Sequence, residues 1–425
     1  MRNKVLWSVI YVAIYSFVIG YLMTFSPSTA PMVSYLGMVF SVIVNPFLAI
    51  CTYLAIRMLD IVHTSFQVLS MEAIIIAVCA HNIYKYRRYL RKYLSSSIVF
   101  IFFAILSSIV GYQTSLKEVI PFFLLIVIFL TVSCMKLASQ EKLIVMTLFV
   151  GGLFVAFFAY YQFASGGFFS ETGRLGLEGN IRRVSNAVAF PLFYAVYKIF
   201  DRYKKGWLLF FWIFIVFALG TILILTYSRG VIIAVIVTSI FLFISKSKNF
   251  SFSNILTTAV VGGVVFMIVT NIQVDAELMF REMDTASGRT EIWDYYISQL
   301  TNDGPVRVLF GLGPGETIRI AQSSVFAEQY AHSLFLDFLC CFGIVGAIYL
   351  LYIIGSISKR LFKSQELFYM SLLVLLITMY LTHGIASTIQ FYYMLGICMG
   401  GVIGDNAIRS FRKKDHVGHD IASII

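Results

Sequence analysis

The chain has 425 residues, 59% of them hydrophobic and 12% charged, with a mean hydropathy of +0.86. So few charges cannot clothe a water-soluble surface, and 40 Phe with 25 Tyr point to lipid as the main solvent. A disordered chain, a secreted disulfide scaffold and a soluble enzyme are excluded, which leaves a polytopic membrane protein.

A bilayer crossing takes about 20 apolar residues. Candidate spans in chain order are 5–23, 67–84, 94–112, 118–134, 143–163, 186–200, 207–226, 231–244, 256–271, 332–354, 367–381 and 389–404. The first follows Arg2 and Lys4 and is read as an uncleaved helix rather than a signal peptide. The stretch 32–59 carries Asn45-Pro46 at its centre, a turn or a kink, so it counts as one span or as a short hairpin.

Charge decides between the two. The net +11 is not spread as a nucleic-acid surface; it sits in short basic tufts between apolar runs, the pattern of cytoplasmic loops. The tufts are Lys85–Lys92, Lys136 with Lys142, Arg202–Lys205, Lys246 with Lys248, Lys359–Lys363 and Arg409–Lys414. An even number of crossings puts all of them on one side with both termini. The expectation is therefore an all-α integral membrane domain over 1–425 with about 14 transmembrane helices (12–14). The six cysteines lie in or beside apolar runs with no zinc or CxxC spacing, so neither a metal nor a disulfide framework is expected.

That topology sends two polar loops outward, 164–185 and 272–331. The second has 60 residues, with no Lys, four Arg and nine acidic residues. Within it, GRTEIWDYYISQL places Ile292, Tyr295, Tyr296 and Leu300 on one helical face. An amphipathic helix on the membrane surface or over a cavity is expected there.

Outward arginines oppose the usual charge bias. Arg174, Arg182 and Arg183 lie in the first loop, Arg289 in the second, and Arg229 ends a span in the motif TYSRG. A guanidinium holds a phosphate or diphosphate through a planar fork of donors and keeps its charge. Arg281, Arg307 and Arg319 sit among acidic neighbours and are read as paired with them. Of the histidines, His63, His81, His383, His416 and His419 are read as structural or solvated. His332 faces the arginines' compartment, either as an ordinary interfacial residue or as a base for a hydroxyl acceptor. There is no D-x-D and no P-loop; Gly311-Leu-Gly-Pro-Gly315 reads as a plain loop, and Glu72 and Asp337 are the intramembrane carboxyls.

Taken together, TYSRG, GRTEIW, GLGPG, Ala331-His332-Ser333 and Gly343-Ile-Val-Gly346 resemble the O-antigen polymerase/O-antigen ligase family, and GRLGLEGNIRRVSNAVAF fits its first outer segment. The resemblance runs over about 173–346. It implies a GT-C-like membrane glycosyltransferase of the bacterial inner membrane that takes its glycan from undecaprenyl diphosphate at the periplasmic face. It implies that Arg174, Arg229 and Arg289 hold the diphosphate, with Arg182 and Arg183 as further substrate contacts, and that His332 activates the acceptor, the long loop lying over this site. Inversion without metal or cofactor is implied, and a lipid-linked repeat unit as acceptor (polymerase) is preferred to lipid A core (ligase). Flippase and chain-length regulator proteins are the implied protein partners. A glycan-lipid flippase or other transporter is the remaining reading; repeat symmetry and mid-membrane charges would mark it.

Overall fold

The computed structural model describes residues 2–59, 64–110, 119–165, 175, 181–200, 206–246, 289–302, 304–314, 333–383 and 389–404. Among them every regular element is an α-helix. In chain order these are α1 (Arg2–Phe25), α2 (Ala30–Val44), α3 (Pro46–Leu59), α4 (Ser65–Val110), α5 (Val119–Cys134), α6 (Glu141–Ala164) and α7 (Ile181–Phe200). There follow α8 (Trp207–Leu225), α9 (Arg229–Lys246), α10 (Arg289–Asn302), α11 (Pro305–Phe310), α12 (Leu334–Ser364), α13 (Leu367–His383) and α14 (Ile389–Gly404). Five stretches are long and apolar enough to cross a bilayer alone: Val5–Phe25, Phe66–Val110, Glu141–Ala164, Trp207–Leu225 and Leu334–Ser364. α2, α3, α5, α7, α9, α13 and α14 are apolar but shorter. The span expected at 256–271 lies outside the described residues.

The 32–59 stretch is two helices. Proline biases the residue before it away from helical backbone, and Asn45 is extended at φ −163 and ψ 122. Its side-chain oxygen accepts the Phe47 N–H at 3.0 Å, while Pro46 opens α3, where its missing donor costs nothing.

The spans expected at 67–84 and 94–112 are corrected: they form one uninterrupted helix, α4, running through the basic tuft. Tyr84–Tyr93 contains neither Gly nor Pro, and Lys, Arg, Leu and Tyr all tolerate a helix interior. The tuft is also braced. Arg87 lies over the Tyr84 ring at 4.3 Å, Lys92 over Tyr352 at 5.5 Å, and Arg360 over Tyr93 at 5.6 Å. At 1.5 Å per residue α4 is about 69 Å long, more than twice a hydrocarbon core of about 30 Å.

α14 is buried along its whole length, and α3 is buried at all positions but Pro46 and Arg57. With α5 they form the centre, and Tyr393 of α14 donates to the Ile50 carbonyl of α3 at 2.8 Å. α1 and α2 run antiparallel, with Tyr11 and Tyr15 donating to the carbonyls of Gly37 and Ser34 at 2.7 Å each. Outward faces are as apolar as the core: Phe210, Phe214 and Phe217 of α8 are all exposed. A face of this kind belongs in lipid. The protein is a multi-pass membrane protein, all-helical in its regular elements among the described residues.

Two lysines, Lys136 and Lys198, lie on aromatic rings around the start of α13. Lys136 pairs with Glu366 at 3.3 Å and lies 4.6 Å from the Tyr369 ring, whose hydroxyl donates to Glu141. Lys198 lies over Tyr194 and Tyr197, and Phe368 packs on both rings.

Candidate functional site

The turn between α8 and α9 is tight. Tyr227 takes a left-handed backbone with φ 51, and its N–H bonds the Ile224 carbonyl at 2.8 Å. Thr226 and Ser228 are buried, and the Ser228 carbonyl accepts the Ile232 N–H at 3.1 Å. Arg229, the first residue of α9, is half-buried at this corner. α9 has no acidic residue in its first turn. A helix dipole favours an anion rather than a cation at this end, so the dipole does not account for Arg229 standing there.

Leu175, in the segment expected as the first outer loop, reaches the same corner. Leu175, whose side chain is buried, donates its N–H to the Leu225 carbonyl at 3.0 Å. The residue that follows Arg174 in sequence is thus bonded to the end of α8, one short turn from Arg229. Arg182 and Arg183 stand in the first turn of α7, which packs on α8 and α9. Arg174 lies outside the described residues, as do the side chains of Arg182 and Arg183.

The expected amphipathic helix is α10, and Arg289 is its first residue, with its side chain outside the described set. Tyr296 and Leu300, two of the four residues expected on its apolar face, are buried with Leu312, Leu336 and Cys340, and Tyr295 packs on this cluster. α10 is thereby fastened to the first turns of α12.

α12 begins just after His332. Ser333 caps it, its side chain accepting the Leu336 N–H at 3.5 Å, and Asp337 lies buried one turn on. His332 itself lies outside the described residues. The two intramembrane carboxyls belong to different helix pairs: Glu72 of α4 is near Arg57 of α3, and Asp337 of α12 is near Tyr392 of α14. Arg57 is exposed on its buried helix and was not among the residues singled out from sequence.

Sequence reasoning also treated GLGPG and Gly343-x-x-Gly346 as separate motifs; they are partners. Gly343 breaks the helical backbone of α12 with φ 64 and ψ −161. At that kink the carbonyls of Cys340 and Cys341 accept the N–H groups of Leu312 and Gly313, at 2.8 and 3.1 Å. Gly311, with φ 86, lies so close that an added Cβ would stand 2.5 Å from the backbone of Cys341 and Phe342. A Cβ on Gly343 would in turn strike the Leu309 carbonyl. Only glycine fits both the positive φ and the contact. From the other side Ser107 of α4 donates its hydroxyl to the Cys341 carbonyl at 2.7 Å. Residues 311–314 therefore form a docking segment against the kink of α12.

Residues 213–351 match the family model described as O-antigen ligase. The matched stretch begins inside α8, ends inside α12, and includes Arg229, Arg289, Gly311, His332 and Gly343. It leaves out Arg174, Arg182 and Arg183. No curated protein sequence matches the chain.

Proposed function

We propose that this chain, which carries the O-antigen ligase family's region at residues 213–351, is a glycosyltransferase that polymerises a surface polysaccharide. The observation that carries the reading is the arrangement of that region. Its arginine-bearing turn, the helix opened by Arg289 and the helix that follows His332 are consecutive parts of one matched segment, the last two packed together. The donor is a glycan on undecaprenyl diphosphate. An acceptor hydroxyl attacks the anomeric carbon while its proton passes to His332. The bond from that carbon to the diphosphate oxygen breaks, and the configuration inverts. Negative charge grows on the leaving diphosphate, where fixed cations stabilise it without having to reorganise. Arg229 and Arg289 supply them, with Arg174 brought in by the first loop and Arg182 and Arg183 as further contacts.

The acceptor is a second lipid-linked repeat unit; the Phe-, Tyr- and Ile-rich chain supports this choice by its likeness to polymerases. The matched family's description favours the other acceptor, lipid A core, and that is the second reading. Both consume the same donor, so site variants are silent and the product decides. In a deletion strain, a gel of surface lipopolysaccharide should show core bearing a single repeat unit, because a separate ligase still works. Bare core with long polymer held on the carrier lipid would select the ligase instead.

The chemistry requires the arginines on the periplasmic side of the inner membrane, and the basic tufts support both termini in the cytoplasm. Cysteines placed at Lys92, Lys204 and Lys413 should resist an impermeant maleimide in outer-membrane-permeabilised cells, and those at Ser170, Asp303 and Ser387 should react. Labelling at 92 without labelling at 303 would invert the topology and remove the functional reading with it.

A further inference from the structure

We propose that Ser107, Gly311 and Gly343 are positioning residues for the transfer reaction, fixing the helix opened by Arg289 relative to the helix that follows His332. The inference rests on the function just proposed, in which Arg289 and His332 act on one donor–acceptor pair. Its physical basis is the joint at the kink of α12. The Cys341 carbonyl accepts both the Gly313 N–H and the Ser107 hydroxyl. One backbone oxygen is thus shared by the outer loop and by α4 of the membrane body. Gly311 and Gly343 both take positive φ; the first abuts the backbone of Cys341 and Phe342, the second that of Leu309 and Gly311. A joint made only of apolar side chains could slide by repacking. Backbone against backbone cannot, because each N–H must keep its one acceptor and no side chain can yield.

The joint sets two distances that matter for chemistry. On one side α11 leads through Gly304 back to α10 and so to Arg289. On the other, the nine residues of α12 before the kink, Leu334 to Phe342, end at the Ser333 cap beside His332. The cluster of Tyr296, Leu300, Leu312, Leu336 and Cys340 fills the space between them. Opening the joint moves α10 as a unit. A displacement of about 1 Å at reacting groups costs on the order of 100-fold in rate.

The test combines a distance with kinetics on the full chain in lipid nanodiscs. Nitroxide labels go on cysteines placed at Ile297 of α10 and Ile348 of α12, both exposed, while the six native cysteines are buried. The unaltered joint should give one narrow distance distribution. Gly311→Ala and Gly343→Ala should broaden or shift it and lower kcat about 100-fold, with a much smaller change in KM for the lipid-linked donor. Should those variants fail to fold, Ser107→Ala removes one hydrogen bond without strain. It should lower kcat about fivefold, and Ser107→Thr, which keeps the hydroxyl, should restore it. An altered distance with an unaltered rate overturns the positioning role, as does a Ser107→Ala loss that threonine does not rescue. Wild-type protein with a narrow distribution but no glycosyl transfer refutes the function instead, and leaves the joint standing.

Discussion

Replacing His332 with alanine should lower turnover by about 10²–10⁴-fold, the usual cost of removing a general base, while donor still binds. The separation follows from the roles assigned. The donor is held by charge on its diphosphate, and arginines supply that charge. The imidazole acts only on the acceptor hydroxyl, whose proton has to leave as the new bond forms. In sequence it precedes Ser333, the cap of a helix whose first turns pack against α10. Single-turnover rates of purified protein, without added metal and with saturating donor, read the loss directly. Full activity of His332→Ala would falsify the catalytic assignment.

Arg229 and Arg289 should respond in a graded way. Alanine at either position removes both charge and fork and should cost about 10²–10³-fold, as removal of a transition-state donor does elsewhere. Lysine keeps a charge but offers a point rather than a plane of donors, so its loss should be smaller. Arg229 is the sharper case. Its backbone is held in the tight turn between α8 and α9, and its side chain is half-buried there. The measurement is polymer formed per unit time against donor concentration, for each variant. Lysine as damaging as alanine at both positions would mean that the side chains work by shape, and the diphosphate role would fall.

Much of the fold is visible in local hydropathy because each helix must be apolar enough to sit in lipid. The spans expected at 143–163, 207–226 and 389–404 differ by at most two residues at either end from Glu141–Ala164, Trp207–Leu225 and Ile389–Gly404. The face of α10 was legible for the same reason: Tyr296 and Leu300 recur at helical spacing and are buried. α4 was not, since a charged interval between two apolar runs looks like a loop in any local window. Whether it turns depends on backbone breakers, and Tyr84–Tyr93 has none. The glycine joint was hidden for a different reason. Positive φ at Gly311 and Gly343 can be guessed one residue at a time, but that the two meet is a property of the packed chain. The first-loop arginines are half legible. Sequence proposes Arg174, and the bond from Leu175 to Leu225 ties its neighbour to the corner of Arg229.

Phe100 of α4 lies stacked on Tyr349 of α12, centroids 4.1 Å apart and planes within 2°, and Ser97 shares a hydrogen bond with the same tyrosine at 3.1 Å. These partners are far apart in sequence: 252 positions separate Ser97 from Tyr349, and 234 separate Ser107 from Cys341. Synthesis at roughly 5–20 residues per second therefore leaves this half of α4 without its partner for about 10–50 s. During that interval its aromatic face meets only lipid and whatever helices have already arrived. The contacts of Phe100, Ser97 and Ser107 close only once α12 has been made, about 10–50 s after α4. A chain cut short before residue 334 would carry α10 yet lack the turns of α12 against which Tyr296 and Leu300 pack.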